Sequence, residues 1–292
     1  MIKSIGKICL CALSSVVGTL VGGIVSSALH LEQPKLPGPV DMPLLGLLCL
    51  VGGFVLSLAL VALSPPLAGN RRSRFLVIAW FVFAWLGINN TIEASIFTTI
   101  GGEPTMMVTM LSLSISVAGA IVWLFDGRMA GLPWLNAFHR FLDHRTGGQW
   151  IVRFSLVVLA FPVVYFFFGM PVGLMVGKFY QNESFDLQLP SLGVVIGVQC
   201  LRSLVCLLAV LPILVAWPGS RQRFAWTLGL GLFVVAGLYG LLQAYWMPWT
   251  LRSIHAVELF LDSMVYGWLL AVLLLPRVPA SVEDVGARNY NI

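Results

Sequence analysis

Charged residues are scarce in this sequence. Asp, Glu, Lys and Arg together make up 10% of its 292 residues, whereas globular domains carry about 25%. Hydrophobic residues account for 59%, and the mean hydropathy is +0.93. A chain with so little charge cannot bury its apolar surface in one water-soluble core. The composition therefore excludes a soluble enzyme or binding domain and indicates an integral membrane protein.

Cysteine pairs and catalytic signatures are also missing. No HExxH, GxSxG or paired-aspartate motif occurs in the chain. The five cysteines all fall in apolar stretches, without the CxxC or Cys/His spacing of a zinc site or a disulfide framework. They are Cys9, Cys11, Cys49, Cys200 and Cys206. We therefore expect no cofactor, and the sequence favours a non-enzymatic protein over an enzyme.

Long hydrophobic runs are what the chain has instead. Eight of them are long enough to cross about 30 Å of hydrocarbon as helices that rise about 1.5 Å per residue. We expect these spans at residues 8–30, 43–64, 75–97, 105–125, 151–177, 191–217, 224–246 and 252–275. Gly, Pro, Asn and charged residues fill the gaps, and the gap at Gly101 and Gly102 is the least distinct. The predicted fold class is an all-α integral membrane protein with eight transmembrane helices in a single membrane domain.

The basic residues predict which ends of these helices face the cytoplasm. With the N-terminus inside, 13 of the 17 lysines and arginines fall on the cytoplasmic side. Only Lys35, Lys178 and Arg252 fall outside, and Arg202 lies within a span. Because basic loops are retained in the cytoplasm, we expect both termini there, in a multi-pass protein of the plasma (inner) membrane. The net charge of +5 follows from these loops, so the partner it implies is the lipid bilayer and not a nucleic acid.

The first span has an alternative interpretation. Lys3 and Lys7, followed by an apolar run that ends near Ala28, resemble a signal peptide. The run is longer than the usual hydrophobic region of such a peptide, and its removal would leave an odd number of spans. A retained first helix is therefore favoured over a cleaved one.

Two further patterns indicate packing and not chemistry. Gly18 and Gly22, and the series Gly169, Gly173 and Gly177, have the GxxxG spacing that lets membrane helices approach closely. Residues 132–145 alternate aromatic with charged side chains, which predicts a short amphipathic helix on the cytoplasmic interface.

The two halves of the chain, 1–146 and 147–292, resemble each other at an offset of about 146–150 residues. Residues 70–75 align with 220–224, and Glu93 aligns with Gln243. Four spans per half would enter the membrane in the same direction, which predicts parallel repeats related by an axis along the membrane normal. Chance similarity between hydrophobic stretches is the alternative.

The last span carries polar and ionisable side chains on one narrow face. On a helix that turns about 100° per residue, its five ionisable side chains lie within about 60° of His255. They are Arg252, His255, Glu258, Asp262 and Tyr266. Ionisable groups in hydrocarbon are costly and usually mark a function or a partner, so we predict a solute or ion pathway along this face.

Arg202 in the sixth span is expected to pair with this face. Arg202 and Asp262 lie about 16 Å and 15 Å from the outer ends of their spans at the helical rise. This equal depth predicts an ion pair between Arg202 and Asp262, or otherwise between Arg202 and Glu258. A purely structural pair that sets helix register is the alternative.

Three polar residues of the third span lie in its outer half. Asn89, Asn90 and Glu93 are at about the depth of His255 and Glu258, about 5–9 Å from the outer boundary. Together these side chains would line an outward-facing vestibule. The alternative is a shorter helix that leaves Glu93 solvated in the outer loop.

Three classes of function fit these residues. The leading hypothesis is a transporter or channel for a small solute, an ion or a proton. The second is a metal-assisted membrane enzyme that uses His255, Glu258 and Glu93 as weak candidate ligands. The third is a non-catalytic subunit that assembles with copies of itself or with another membrane protein.

Overall fold

The computed structural model describes residues 2–35, 40–64, 67–125, 133–180 and 186–276. Regular structure in these residues is helical, apart from one isolated bridge between Thr98 and Leu187. Several positions covered by the sequence-based predictions lie outside the described residues. They are residues 65–66, Arg128, residue 132 and the C-terminus from Arg277 onward.

Eight helical spans are long and apolar enough to cross a membrane, which confirms the all-α polytopic fold. The third and seventh spans each contain a π-helical segment between two α-helices. The helices are α1 (Ile2–Ala28), α2 (Met42–Leu63), α3 (Arg71–Val82), the first π segment (Phe83–Asn89), α4 (Asn90–Phe97), α5 (Glu103–Leu124), α6 (Trp134–Asp143), α7 (Gly147–Tyr180), α8 (Leu192–Ala216), α9 (Arg221–Phe233), the second π segment (Val234–Leu238), α10 (Tyr239–Gln243) and α11 (Trp249–Leu274).

Local sequence signals explain where several spans begin and end. Asp41, Asn70 and Ser220 each accept a hydrogen bond from a backbone N–H in the first turn of α2, α3 and α9, as N-caps do. Gly101 and Gly102 have φ of 67° and 73°, a left-handed conformation that glycine adopts at little cost. These two glycines separate the third span from the fourth, where the sequence alone gave the least distinct boundary.

The centre of the molecule is built from the second and third spans of each half of the chain. Leu60 of α2, Phe81 of α3, Ile213 of α8 and Leu228 of α9 are fully buried there. Helices α1 and α5 pack together on one side of this centre, and α7 and α11 pack together on the other. A site near α7, α8 and α11 is therefore flanked by a peripheral helix pair.

The GxxxG pattern has different outcomes in α1 and α7. A Cβ atom on Gly22 would lie 2.5 Å from the Thr109 Cα, and one on Gly18 would lie 2.7 Å from the Leu113 Cα. The predicted close packing of α1 is therefore confirmed, against α5. Gly173 and Gly177 meet no atom within 4 Å among the described residues, so the packing predicted for that part of α7 is wrong within this chain.

Helix α7 is the least buried of the eight described spans. Leu174 is 90% exposed, and Phe167 and Met170 are also largely exposed. Exposed side chains of this size are tolerated where the surrounding medium is hydrocarbon. Either lipid or another membrane helix can therefore cover the exposed face of α7.

Arginines cap the C-terminal end of α11. Arg145, Arg153 and Arg221 all donate to the carbonyl oxygens of residues 273–275, which accept no bond within the helix. Burial, together with the like charges of Arg153 and Arg221, lowers the pKa of Arg145 from its ordinary value.

The predicted amphipathic segment just before Arg145 is confirmed as a helix, α6.

Candidate functional site

Arg202 is buried in the middle of α8 and is surrounded by polar partners. Its side chain is 4% exposed. Its Nε donates to the Asn89 Oδ1 at 2.9 Å, its Nη2 to the Glu93 Oε2 at 2.9 Å, and its Nη1 to the Gln199 Oε1 at 3.3 Å. All three guanidinium nitrogens thus have acceptors, as a buried arginine requires.

The third span supplies two of these acceptors, one from its π segment and one from the α-helix that follows. Asn89 ends the first π segment, and Glu93 lies one turn later in α4. π segments inside α-helices often occur at functional sites because they change which side chains face a neighbour. The Asn90 Oδ1 accepts from the Asn89 Nδ2 at 3.3 Å, and the Asn90 Nδ2 donates to the carbonyl of Val235 in the second π segment at 3.4 Å.

Aromatic rings of α7 close the remaining side of Arg202. The guanidinium carbon lies 5.8 Å from the ring centre of Phe161 and 6.0 Å from that of Tyr165, within the range of cation–π attraction. Phe161 in turn meets Tyr266 of α11 edge to face, with ring centres 5.1 Å apart. Phe161 therefore links the polar group on α8 to the polar face of α11.

The ion pair predicted between Arg202 and Asp262 is wrong, and so is the alternative pair with Glu258. Arg202 pairs with Glu93, because α8 packs along the third span and α7, whereas α11 packs along α7 and α9. Side chains also tilt toward the N-terminus of their own helix. By the predicted topology, Arg202 therefore reaches outward and Glu93 inward, which closes the difference in depth between them.

A second polar pair lies on α11, toward its N-terminal end. The His255 Nδ1 is 2.8 Å from the Glu258 Oε2, and the two side chains are 24% and 8% exposed. A Cβ atom on Gly169 of α7 would lie 3.0 Å from the Glu258 Oε1. Glycine at position 169 therefore leaves room for this carboxylate between α7 and α11.

Asp262 lies one turn farther along α11 and has no hydrogen-bonding partner at its buried Oδ1 among the described residues. Asp262 lies between Glu258 and Tyr266 on the same face of α11, and Tyr266 contacts Phe161, which also lies beside Arg202. We call Arg202 and its acceptors Asn89, Glu93 and Gln199 the Arg202 group. Asp262 lies in the same polar region as this group, without a direct contact to Arg202.

The remaining predicted site residue lies apart from this region. Arg252 lies in the first turn of α11, where its guanidinium is over the ring of Trp249 at 5.4 Å. It is stacked on its own helix and does not join the Arg202 group.

Three of the side chains around Arg202 were not predicted as site residues from the sequence. Gln199 precedes Arg202 by one helical turn, so its polarity inside an apolar span was a usable signal. Phe161 and Tyr165 carried no such signal, because aromatic side chains are common in membrane helices.

Metal ligands are not assembled in the described part of the chain. No three His, Cys, Asp or Glu side chains there form a group that could hold a metal ion. Of the three weak candidates, Glu93 is bound by Arg202, and His255 and Glu258 bind each other. The proposed ligand set is therefore not formed by these residues.

The position that matches Arg202 in the first half of the chain is Gly52 of α2, 150 residues earlier. A Cβ atom on Gly52 would lie 3.3 Å from the ring of Tyr239 and 3.4 Å from the Gln243 Nε2. Tyr239 and Gln243 follow Asn89 and Glu93 by the same 150 residues. Arg202 thus pairs with Glu93, whereas Gly52, 150 residues earlier, lies beside Tyr239 and Gln243.

Comparison of this chain with protein-family models, curated proteins and solved structures gives no match.

Proposed function

We propose that this protein is a carrier that moves a small solute or an ion across the membrane through the polar region between α4, α7, α8 and α11. The observation that supports the proposal most directly is the Arg202 group, a guanidinium buried in mid-span with acceptors from two spans. Ionisable groups at this depth are rare in membrane proteins and usually line substrate or ion pathways.

Unused hydrogen-bonding atoms in the same region favour binding over a purely structural role. The Gln199 Nε2 and the Asp262 Oδ1 are both buried without a partner among the described residues. A pair that only sets helix register needs no such atoms, and each is costly to leave unsatisfied. A small polar solute or ion that enters the region would find both a donor and an acceptor.

Access from the outer side is consistent with a carrier. The side chains of Glu93 and His255 remain 31% and 24% exposed, and both lie in the outer half of their spans by the predicted topology. Arg202, deeper in the membrane, is enclosed. This gradient from exposed to buried polar groups is the arrangement expected for an outward-facing entrance.

Transport by the purified protein in liposomes tests this proposal. Transport of a panel of small amino acids, sugars and organic ions is compared between the native protein and the double variant Arg202→Leu/Glu93→Leu. The double substitution removes both charges together, so folding is expected to survive while transport falls to the level of protein-free liposomes. Gln243→Leu, at the position that matches Glu93, is the control and should transport normally. Equal transport by the native and the double-variant protein would refute the proposal.

The exposed face of α7 favours a second candidate, a subunit of a membrane complex. Gly173 and Gly177 leave a strip of helix surface that no described residue covers, and such strips pack against other membrane helices. The mass of the purified protein in detergent tests this candidate. A monomer that transports on its own would argue against an obligatory partner.

We also propose that the chain arose by duplication of a four-span unit, with halves 1–146 and 147–292. The paired π segments, the N-caps Asn70 and Ser220, and the contacts of Gly52 and Arg202 support it, all at offsets of 149–151 residues. Transfer of the Arg202–Glu93 ion pair to positions 52 and 243 tests it. In a true repeat, Gly52→Arg with Gln243→Glu builds a second buried ion pair that folds, whereas Gly52→Arg alone does not.

A further inference from the structure

The charges of the polar region do not balance. Arg202 and Glu93 form one pair, and His255 and Glu258 form another. Asp262 remains, partly buried and without a cationic partner in contact. Arg202 directs each of its guanidinium nitrogens at another acceptor. An ionised Asp262 would therefore be an uncompensated negative charge inside a membrane span, which is unfavourable.

Side chains on the elements around α11 do not correct this imbalance. Neither α9 nor the second π segment brings a basic residue to this depth, since Arg221 and Arg223 lie at the cytoplasmic end of α9. The other titratable groups of the polar region are His255, Glu258 and Tyr266 on α11, Tyr165 on α7, Arg202 and Cys206 on α8, and Glu93 on α4. Lys178 and Tyr180 lie in the last turn of α7, and Arg252 lies in the first turn of α11. With Arg202 already paired, the acidic groups are in excess.

A proton compensates this charge better than a metal ion does. Sodium and divalent ions are held by several convergent oxygen ligands, and the described residues contain no cluster of three or more His, Cys, Asp or Glu side chains that could hold a metal ion. Protonation needs only the carboxylate itself and gives Asp262 a hydroxyl that can donate a hydrogen bond. Burial in an apolar medium favours this neutral form.

The polar face of α11 offers a route for the proton from the outer side. His255, Glu258 and Asp262 follow one another at intervals of three and four residues, so they lie in line along one face of the helix. His255 is the more exposed member of the pair, and its Nδ1 is 2.8 Å from the Glu258 Oε2. The imidazole nitrogen and the carboxylate oxygen are within hydrogen-bonding distance, so a proton can pass between them.

We propose that Asp262 binds the proton that drives transport and that the His255–Glu258 pair delivers it from the outer side. The proton leaves the His255 imidazolium for the Glu258 carboxylate and then passes to the Asp262 carboxylate. Each transfer breaks one N–H or O–H bond and forms one O–H bond, with no change in oxidation state. The use of the proton to drive transport rests on the proposed carrier function. The binding of a proton by Asp262 does not.

Infrared spectroscopy of the purified full-length protein tests proton binding without reference to transport. A protonated carboxyl group in an apolar place has a carbonyl stretch that ionised carboxylates lack. We expect this band at neutral pH in the native protein, and its loss on titration to alkaline pH. The Asp262→Asn variant should lack the band, and the Asp143→Asn variant, which changes an exposed carboxylate on α6, should retain it. A band that persists in Asp262→Asn, or is absent from the native protein, would overturn the proposal.

Proton flux in liposomes tests delivery and coupling. With an imposed pH gradient and a pH-sensitive dye inside, we expect Asp262→Asn to reduce flux to that of protein-free liposomes and Asp262→Glu to retain part of it. His255→Gln should slow the flux without removing the infrared band of Asp262. Flux that depends on added sodium and not on pH would refute the proposal that Asp262 binds a proton, and would indicate a metal ion instead. If Asp262 binds a proton but no flux is found, the carrier function fails while the proton-binding site stands.

Discussion

Replacing Glu93 with leucine should destabilise this protein more than replacing its partner Arg202. Removal of one member of a buried ion pair costs about 3–5 kcal/mol, because the other charge is left uncompensated. The two members are not equally buried here, since the side chain of Arg202 is 4% exposed and that of Glu93 is 31% exposed. The cost of each single substitution therefore depends on which charge is left behind.

The expected magnitudes follow from this difference. Glu93→Leu leaves a guanidinium that water does not reach, although Asn89 and Gln199 still accept from it, so we expect a loss of about 3 kcal/mol. Arg202→Leu leaves a carboxylate one turn from the outer end of α4, where it can be solvated, and should cost about 1–2 kcal/mol. The double variant removes both charges and should lie within about 1 kcal/mol of the native protein. The coupling between the two sites is then about 3–5 kcal/mol.

Unfolding of the detergent-purified protein, followed by helical circular dichroism against increasing SDS, measures these differences. Gln243→Leu serves as the control. It alters the matching position beside Gly52, where no ion pair exists, and should change stability by less than about 1 kcal/mol. Additive losses in the double variant, or a larger loss for Arg202→Leu than for Glu93→Leu, would refute the reasoning about burial.

Two further predictions use pairs of neighbouring glycines. Gly169→Ala should slow proton flux with little effect on stability, because its Cβ atom would press on the Glu258 Oε1 at 3.0 Å, whereas Gly173→Ala, with nothing within 4 Å, should leave flux unchanged. Gly22→Ala should lower the stability of the protein by about 1–3 kcal/mol, because α1 and α5 would be forced apart. Gly23→Ala, which meets no atom within 4 Å, should raise it by about 0.5–1 kcal/mol. Equal melting temperatures for the last two variants would contradict the packing that we describe.

The number and the approximate bounds of the spans could be predicted because they depend on local properties. A helix must bond its own backbone in hydrocarbon, and its length must match the thickness of the bilayer. Both requirements are met within a single stretch of sequence. The π segments within the third and seventh spans were not predicted, since they alter hydrogen bonding without changing hydropathy.

The site residues were predictable as types, and their pairing was not. Arg202, Glu93 and Glu258 attract notice as charges in apolar helices. Depth along a helix, counted from its ends, suggested Asp262 as the partner of Arg202. The count ignored that side chains on helices of opposite direction lean toward each other, and that α8 has the third span as its neighbour and not α11.

The amino-acid sequence by itself determined that this chain forms eight membrane-spanning helices and that a few ionisable side chains must lie inside them. The tertiary structure alone decided that Glu93 neutralises Arg202 and that Asp262 is left without a cationic contact. The physical reason is that hydropathy and helix length are satisfied within each span, whereas the partner of a buried charge depends on which helices are adjacent and on how each side chain leans.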